Sequence, residues 1–453
     1  MNVVLISTYE LGHQPFGLAS PAAWLKQAGA TVTGLDLAVQ RLDRAAITQA
    51  GLIAFYAPMH TATRIAAPLI GRVKALNPHA HICVYGLYAP VNEGYLRRLG
   101  VDTILGGEFE TRLTALYRRL STHGMPAQRE QPEPRIALDR QRFQAPDRSG
   151  LPGLSQYAFL ELADGTRRTV GYTEASRGCK HVCRHCPIVP VYGGQFRIVQ
   201  REVVLEDIRQ QVEAGARHIT FGDPDFFNGP GHAIPLVEAL HRQFPVVTYD
   251  VTIKIEHLVQ HARYLPVLRD TGCLFVTSAV ESIDDAVLEI FDKRHTRQDF
   301  IRVVSLFREV GLTLNPTFVT FTPWTSPERY LELLERIAEL DLVENVSPIQ
   351  YAIRLLIPAG SKLLDLPIVQ DLVEKFDEAA LCHPWSHPDA RVDRLYADAL
   401  ATVKDGQARH APRSAIFRRV WQLARDAASH NRQSPISIAP GAPIPHLSEP
   451  WYC

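Results

Sequence analysis

The first 120 residues alternate short apolar runs with helix-like segments. The apolar runs predict strands at residues 3–7, 31–35, 51–56, 80–85 and 103–105, and residues 18–28 and 61–76 predict helices. The runs are continuous rather than alternating, which is typical of parallel strands that are covered on both faces. The pattern predicts an α/β domain over residues 1–120, built on a doubly wound, Rossmann-type parallel sheet.

A second series of strands and helices follows a polar, proline-bearing segment at 121–153, which predicts a linker. The strand candidates of this series are residues 170–176, 218–221, 246–253, 274–280, 313–322 and 347–357. Helical segments of ordinary crossover length lie between them, at 202–214, 233–244, 263–271, 297–310 and 327–340. The six units predict a partial (βα)6 barrel within residues 154–360.

The pattern changes after residue 360, where only helical segments are clear. Residues 390–403 and 414–428 are the best helix candidates of a helical C-terminal region, 361–432. Residues 433–453 form a proline-rich tail, with five prolines between Ser434 and Cys453. Because proline lacks a backbone donor, the tail is expected to be extended rather than helical or part of a central strand.

The charge balance and composition of the chain limit the classes of partner that it is expected to bind. The 453 residues include 48 basic and 48 acidic side chains, so no charge excess marks a surface for nucleic acid or an acidic membrane. A small-molecule substrate is therefore expected, and nucleic acid is not. The chain starts without a basic segment, and no apolar stretch is long enough to cross a bilayer, so a cytoplasmic location without membrane contact is expected.

The strongest chemical signal is a group of three cysteines, Cys179, Cys183 and Cys186, directly after the first strand of the second series. Loops at the carboxyl ends of barrel strands commonly carry ligands and catalysis. Three thiolates so spaced can hold three corners of an iron–sulfur cube and leave the fourth iron open. Zinc is an alternative, since His181 and His185 lie between the cysteines, although no second Cys/His pair completes a structural tetrahedron. Loop cysteines without any metal are the remaining alternative.

The pattern Cys-x3-Cys-x2-Cys after the first strand of a partial barrel resembles the radical S-adenosylmethionine (radical SAM) superfamily. The resemblance implies that Cys179, Cys183 and Cys186 ligate a [4Fe-4S] cluster. In that family the unique iron binds S-adenosylmethionine, and reduction yields a 5'-deoxyadenosyl radical. His185 stands where the family often has an aromatic residue near the adenine, so a cofactor contact is implied there.

The end of the second strand matches the family more loosely, in the sequence Phe-Gly-Asp-Pro-Asp-Phe at 221–226. In the family a small or acidic motif at this point takes the amino group of S-adenosylmethionine. The resemblance therefore implies cofactor binding by Gly222, Asp223 and Asp225. A plain turn is the alternative, because Asp-Pro sequences favour turns.

Two further segments resemble cofactor-contacting strands of the family. Glu281 and Ser282 end the fourth strand, at the position that contacts ribose and carboxylate, although a helix cap before Asp284 is the alternative. Arg354 and Ile357 fall in the predicted sixth strand, which in the family lies against the adenine. A buried arginine needs a partner, so Arg354 is expected to pair with a carboxylate of the substrate or of the protein.

The N-terminal domain resembles the cobalamin-binding domain of B12-dependent radical SAM enzymes. The resemblance implies possible cobalamin contacts at its strand ends, namely Gly12, His13, Met59, His60, Gly86, Gly107 and Glu108. The Asp-x-His-x-x-Gly signature, which supplies an axial histidine to cobalt, is missing from the first 150 residues. A sheet that serves as scaffold or substrate platform is the alternative.

These observations together predict an enzyme that cleaves S-adenosylmethionine reductively and methylates, rearranges or otherwise functionalises its substrate. An electron donor such as flavodoxin or ferredoxin is implied. Methyl transfer would depend on cobalamin, whereas hydrogen abstraction needs only the cluster. Two alternatives are a non-catalytic zinc- or cluster-binding regulatory module and an RNA-modifying radical SAM enzyme.

The last residues, Leu-Ser-Glu-Pro-Trp-Tyr-Cys at 447–453, resemble the ending of radical SAM proteins named for a Cys-Cys-Ala-Glu-Pro or Cys-selenocysteine-Ala-Glu-Pro tail. In that group a redox-active pair lies near the end of the chain. The resemblance implies that Cys453 is catalytic and is the first half of such a pair, with the sequence truncated at a selenocysteine codon. An ordinary disordered terminus is the alternative.

Overall fold

The computed structural model describes residues 1–123, 133–428 and 443–449. Within these ranges, every helix is too short or too polar to span a bilayer. Two parallel sheets organise the chain, one in the N-terminal domain and one in the barrel.

The N-terminal sheet consists of six parallel strands in the order β2-β1-β3-β4-β5-β6. Their bounds are β1 Asn2–Ser7, β2 Thr31–Asp36, β3 Leu52–Tyr56, β4 His81–Tyr85, β5 Thr103–Gly107 and β6 Ile136–Ala137. The order reverses between β1 and β3, which makes this a doubly wound sheet with its switch point there. The five predicted strands are confirmed, and the short β6 lies inside the segment predicted to be a linker.

Helices cover both faces of this sheet: α1 Phe16–Gln27, α2 Arg44–Gln49, α3 His60–Leu76, α4 Glu93–Arg98 and α5 Glu110–His123. Alternate residues of β1 face opposite layers, since Val4 and Ile6 pack with α2 and α3, whereas Val3 and Leu5 pack with α1 and α5. Burial on both faces explains why the strands read as continuous apolar runs.

The second sheet has the strand order β14-β13-β12-β11-β8-β7-β15, and β9 pairs with β10 outside it. The bounds are β7 Phe159–Glu161, β8 Arg167–Thr173, β9 Ser176–Gly178, β10 Phe196–Ile198, β11 His218–Phe221, β12 Thr248–Thr252, β13 Cys273–Glu281, β14 Thr313–Phe318 and β15 His446–Leu447. Strands β8, β11, β12, β13 and β14 are parallel, and β7 and β15 are antiparallel additions at the β8 edge. The sheet confirms the predicted partial barrel, with five regular parallel strands instead of six.

The sixth predicted strand, 347–357, is not a regular strand. Pro348–Ala352 form a 3₁₀ helix, and only Arg354 bridges to the chain beyond β14, opposite Phe321. Pro348 favours a helical start because its ring fixes φ. The backbone N–H of Phe318 then donates to the Gln350 side chain at 2.8 Å, so a side chain replaces the strand partner at this edge.

The remaining helices surround the barrel and extend past it. Their bounds are α6 Val189–Tyr192, α7 Arg201–Glu213, α8 Pro230–Gln243, α9 Ile255–Gln260, α10 Leu265–Asp270, α11 Asp285–Ile290, α12 Arg297–Val310, α13 Pro327–Glu339, α14 Pro367–Gln370, α15 Ala390–Ala408 and α16 Arg413–Ala427. Helices α15 and α16 join the barrel core through residues such as Leu395 and Phe417. The domain bounds predicted from the sequence stay predictions.

Candidate active site at the barrel mouth

The three cysteines lie on the loop that leaves β8 at the carboxyl end of the barrel strands. The short strand β9 holds the loop by pairing with β10, and Gly178 makes the turn into Cys179. Gly178 has a φ of +72°, and a Cβ there would stand 2.5 Å from the Gln195 carbonyl oxygen. A residue other than glycine would therefore displace the segment that leads into Cys179.

The thiols of Cys179, Cys183 and Cys186 are free and close enough to affect one another. The backbone N–H of Cys186 donates to the carbonyl of Cys183 at 3.1 Å, which forms the tight turn between them. Burial raises the pKa of Cys179 to about 11 and that of Cys186 to about 12, with the neighbouring thiols raising both further. Such thiols ionise when they bind metal, so the donor set fits three ligands of an iron–sulfur cluster.

A buried cation stands beside these thiols. Lys293 is 4% exposed, and its ammonium lies 3.3 Å from the Glu281 carboxylate. Burial lowers the pKa of Lys293, but Glu281 and the thiols of Cys183 and Cys186 outweigh burial and raise it. A permanent positive charge here stabilises negative charge on the cysteine sulfurs.

The structure brings together two predicted cofactor residues, His185 and Glu281. Nε2 of His185 lies 3.1 Å from Oε1 of Glu281, and its ring stacks on Phe291 at 4.4 Å between centroids. Burial raises the pKa of Glu281, yet Lys293 and His185 together bring it down to about 2. Glu281 is therefore ionised at neutral pH and faces the cysteine loop. It also has a φ of +67°, which costs a non-glycine residue energy.

Asp223 supports the start of the cysteine loop. Its carboxylate accepts hydrogen bonds from the backbone N–H of Ala175 at 2.9 Å and from the hydroxyl of Ser176 at 2.5 Å. Burial raises its pKa to about 7. The preceding Gly222 contacts Tyr172 so closely that a Cβ would stand 1.8 Å from the phenol oxygen. Asp225 points elsewhere, with Oδ1 accepting from the N–H of Phe227 at 3.1 Å.

The side chains of three other predicted cofactor residues contact other residues of the chain. The Ser282 hydroxyl accepts the N–H of Asp284, and Asp284 is the residue that caps α11. Arg354 pairs with Asp393 at 2.7 Å and lies 3.7 Å above the Trp385 ring, so its carboxylate partner comes from the protein. Ile357 is buried in the cluster that contains Phe291.

A buried charged network joins the cysteine loop to the N-terminal sheet. Arg177 contacts Glu174 at 2.6 Å, Glu110 at 2.6 Å and Glu108 at 3.4 Å, and its side chain is 7% exposed. Burial raises the pKa of Glu108 to about 7, although Arg177 opposes the rise. Burial also raises the pKa of Glu110, but Arg177 outweighs the effect of burial and lowers this pKa. Sequence reasoning missed this network because its members are up to 69 positions apart.

The remaining strand-end candidates of the N-terminal domain also contact protein groups. His13 is 6% exposed and stacks on Tyr172 at 4.8 Å, and Nε2 of His60 lies 2.6 Å from the carbonyl oxygen of Ala380. Burial lowers the pKa of His13 to about 4. Both rings are thus held by the protein, and neither His13 nor His60 presents an unengaged ring to a ligand.

The glycines at these strand ends approach other chain segments closely. A Cβ on Gly12 would stand 2.4 Å from the Glu449 carboxylate, one on Gly86 would stand 2.8 Å from the Ala57 carbonyl, and one on Gly107 would meet the Ala137 carbonyl. Met59 precedes α3 in an extended conformation. Cys453, the predicted catalytic residue, lies outside the described residues.

Comparison with protein families and curated proteins identifies the barrel. The family model of the radical SAM superfamily matches residues 173–340. The hopanoid C-3 methylase of Methylococcus capsulatus is 25% identical over 183 residues, which are 40% of this chain and 35% of the methylase. The ribosomal protein uS12 methylthiotransferase RimO of Pelotomaculum thermopropionicum is 21% identical over 200 residues, 42% of this chain and 45% of RimO. The chain therefore spans less than half the length of these relatives.

Solved structures share the fold of both domains. The radical SAM methyltransferase TsrM from Kitasatospora setae, solved with cobalamin and a [4Fe-4S] cluster, superposes with a TM-score of 0.65 at 15% identity, over 94% of this chain and 99% of TsrM. The cobalamin-dependent radical enzyme OxsB, solved with aqua-cobalamin and S-adenosylmethionine, gives 0.65 at 14% identity, over 92% and 71%. Residues 173–340 therefore match the radical SAM superfamily, and the N-terminal and barrel domains together have the fold of TsrM and OxsB.

Proposed function

We propose that this chain is a radical SAM enzyme that modifies a substrate through a 5'-deoxyadenosyl radical. The observation that carries the proposal is the convergence of Cys179, Cys183 and Cys186 on the loop after β8 of a radical SAM domain. When bound, a [4Fe-4S] cluster on these thiolates supplies the electron that cleaves S-adenosylmethionine into methionine and the radical.

The residues around the cysteines have separate tasks in this proposal. Asp223 fixes the backbone at Ala175 and Ser176, which sets where the loop leaves the barrel. Lys293 balances the charge of the cysteine sulfurs. Glu281, ionised and beside the loop, accepts hydrogen bonds from S-adenosylmethionine, while His185 contributes an apolar ring face next to Phe291.

The N-terminal domain is proposed to bind cobalamin without a protein ligand on cobalt. The support is the shared fold across both domains and the engagement of His13 and His60 by Tyr172 and Ala380. The proposed chemistry is substrate radical formation by hydrogen abstraction, which needs only the cluster and S-adenosylmethionine, and methyl transfer is the alternative that cobalamin would add.

The proposed substrate is a small molecule, and the proposed electron donor is a flavodoxin or ferredoxin in the cytoplasm. Equal numbers of basic and acidic side chains support the first point, because RNA binding depends on a basic surface. Curated relatives are named as ribosomal protein and tRNA modifying enzymes, which makes macromolecular substrates the alternative. Unchanged migration of bulk tRNA with excess protein supports the small-molecule proposal, and a salt-sensitive shift contradicts it.

A cysteine substitution tests the proposed function. After anaerobic reconstitution, the wild type is expected to hold about four irons per chain, and Cys183→Ala is expected to hold far fewer and form no 5'-deoxyadenosine with dithionite. Cys382→Ala is the control, since Cys382 is also a free cysteine but lies outside the loop. Equal iron content and cleavage in Cys183→Ala and the control would refute the assignment. One zinc without iron in the wild type would favour the regulatory module.

A further inference from the structure

Three buried side chains beside the cysteine loop converge on a second point of the barrel mouth. His181 lies between Cys179 and Cys183, Asp225 follows β11, and His257 lies in α9 after β12. Their side chains are 7%, 2% and 1% exposed, respectively. One ligand atom from each lies within 4.8 Å of the others. The proposed radical chemistry leaves this group without a task.

Nε2 of His181 lies within hydrogen-bond distance of Nε2 of His257, at 3.1 Å, whereas Oδ2 of Asp225 is hydrogen-bonded to neither ring. Oδ2 of Asp225 lies 2.6 Å from Nδ1 of His257, yet each is a fully buried atom without a hydrogen-bond partner among the described residues. Two polar atoms so close and so deeply buried need a proton aligned between them or a shared cation. Nε2 of His181 lies 3.8 Å from the same Oδ2, which places a third donor at this point.

The spacing and chemistry of these donors fit a metal ion. Bonds of about 2.1 Å from nitrogen or oxygen to zinc place tetrahedral ligand atoms about 3.4 Å apart. The observed separations from Oδ2 of Asp225, 2.6 Å to His257 and 3.8 Å to His181, bracket that value, so small side-chain shifts suffice. Two imidazoles and one carboxylate are a common donor set for zinc and for non-heme iron.

Two neighbouring charged side chains, Lys254 and Glu256, affect metal binding by His181 in opposite ways. The Lys254 ammonium lies 3.2 Å from Nδ1 of His181 and 2.8 Å from the Glu256 carboxylate. While Lys254 donates to Nδ1, the proton of the neutral ring sits on Nε2 and blocks that ligand atom. Glu256 lies 3.5 Å from Nδ1 and can accept its proton instead, which frees Nε2 and orients the ring as carboxylates do in zinc sites.

We propose that His181, Asp225 and His257 bind one divalent transition-metal ion, separate from the iron held by the cysteines. Three protein ligands leave at least one coordination position for an oxygen or nitrogen of the substrate. Lys254 opposes metal binding by its charge and by its hydrogen bond, whereas Glu256 supports it. The proposal does not depend on the cleavage of S-adenosylmethionine.

Zinc binding by the reconstituted holoprotein tests the proposal. Chains that carry about four irons are treated with a chelator for loosely bound metal, desalted, and titrated with Zn²⁺ against a chromophoric chelator. Elemental analysis then counts zinc and iron together. The expected result is about one zinc per chain in addition to the iron. No zinc above the level of the buffer, or zinc gained only as iron is lost, overturns the proposal.

Substitutions at the three ligands and at Lys254 should act with opposite signs. Asp225→Asn keeps an acceptor for the N–H of Phe227 and is expected to weaken zinc binding at least about tenfold, with the iron content unchanged. His79→Ala, an exposed histidine of the N-terminal domain, is the control and should bind zinc as the wild type does. Equal affinity in Asp225→Asn, His79→Ala and the wild type would place the zinc elsewhere.

Lys254→Met provides the result that a damaged fold would not produce. Removing the ammonium deletes a nearby like charge and frees His181, so zinc affinity is expected to rise at least about threefold. The variant should retain the iron of the wild type. A loss of zinc binding in Lys254→Met would contradict the assignment, because it would make Lys254 part of a hydrogen-bonded group rather than a competitor of the metal.

Discussion

Replacing Arg177 with methionine is expected to destabilise the chain by about 3–5 kcal/mol, the usual cost of removing one partner from a buried ion pair. Arg177 contacts Glu110 and Glu174 at 2.6 Å each and Glu108 at 3.4 Å, with side-chain exposures of 0%, 13% and 1% for these carboxylates. Methionine keeps the apolar contacts with surrounding rings but leaves three buried carboxyl groups without their cation.

Urea unfolding under anaerobic conditions, followed by circular dichroism, measures this cost. Arg209→Met is the control, because Arg209 pairs with Glu206 and Glu213 on the exposed face of α7, and no measurable change is expected there. Adding Glu110→Gln to Arg177→Met should recover part of the lost stability, since one buried charge is removed. A cost below about 1 kcal/mol for Arg177→Met would refute the view that this network joins the domains.

The difference in unfolding free energy between the wild type and Arg177→Met should depend on pH. Arg177 holds the pKa of Glu110 below its ordinary value against the effect of burial. Its contribution to stability is therefore present above the pKa of the unfolded chain, about 4.3, and is lost as the pH falls through the lower folded value. The gap between wild type and Arg177→Met should narrow below about pH 4. A gap that widens in acid would contradict the argument.

The remaining predictions concern the loop and the cofactors. Gly222→Ala should destabilise the barrel, because a Cβ would stand 1.8 Å from the Tyr172 oxygen and the Tyr172 ring would have to move, and the midpoint of urea unfolding should fall below that of the wild type. Because the pKa of Asp223 is raised to about 7 in the folded chain, the wild type should lose stability as the pH rises from about 4 to 7. Asp223→Asn should remove this part of the pH dependence. His185→Phe should keep the iron content of the wild type and weaken S-adenosylmethionine binding in a dialysis assay, because Glu281 loses its contact with Nε2 of His185. After hydroxocobalamin is added and the protein is desalted, the protein should retain the visible absorbance of the bound cobalamin. The electron paramagnetic resonance spectrum of the bound, reduced cob(II)alamin should lack nitrogen superhyperfine splitting.

The apolar runs in the sequence predicted the strands of both sheets well, because a strand that is buried on both faces needs apolar residues at consecutive positions. Continuous apolar runs such as 52–56 are what a central parallel strand requires, and the structure has β3 there. The segment 347–357 shows the limit of this signal. It is also largely apolar, but Pro348 starts a 3₁₀ helix and the Gln350 side chain takes over a backbone pairing.

The cysteine loop could be predicted because its spacing alone is diagnostic, whereas the contacts around it could not. Glu281 meets His185 across 96 positions and His257 meets Asp225 across the barrel mouth, so only the folded chain shows these pairs. Arg354 illustrates the intermediate case, since its burial predicted a carboxylate partner but did not identify Asp393.

In the proposed function, the three cysteines hold a cluster that cleaves S-adenosylmethionine by one-electron reduction. The most direct measurement is the formation of 5'-deoxyadenosine and methionine by reconstituted wild-type protein with dithionite, analysed by chromatography and mass spectrometry. Both products are expected in equal amounts, dependent on iron and absent from Cys183→Ala. A fully reconstituted protein that binds S-adenosylmethionine but yields neither product under reducing conditions would contradict it.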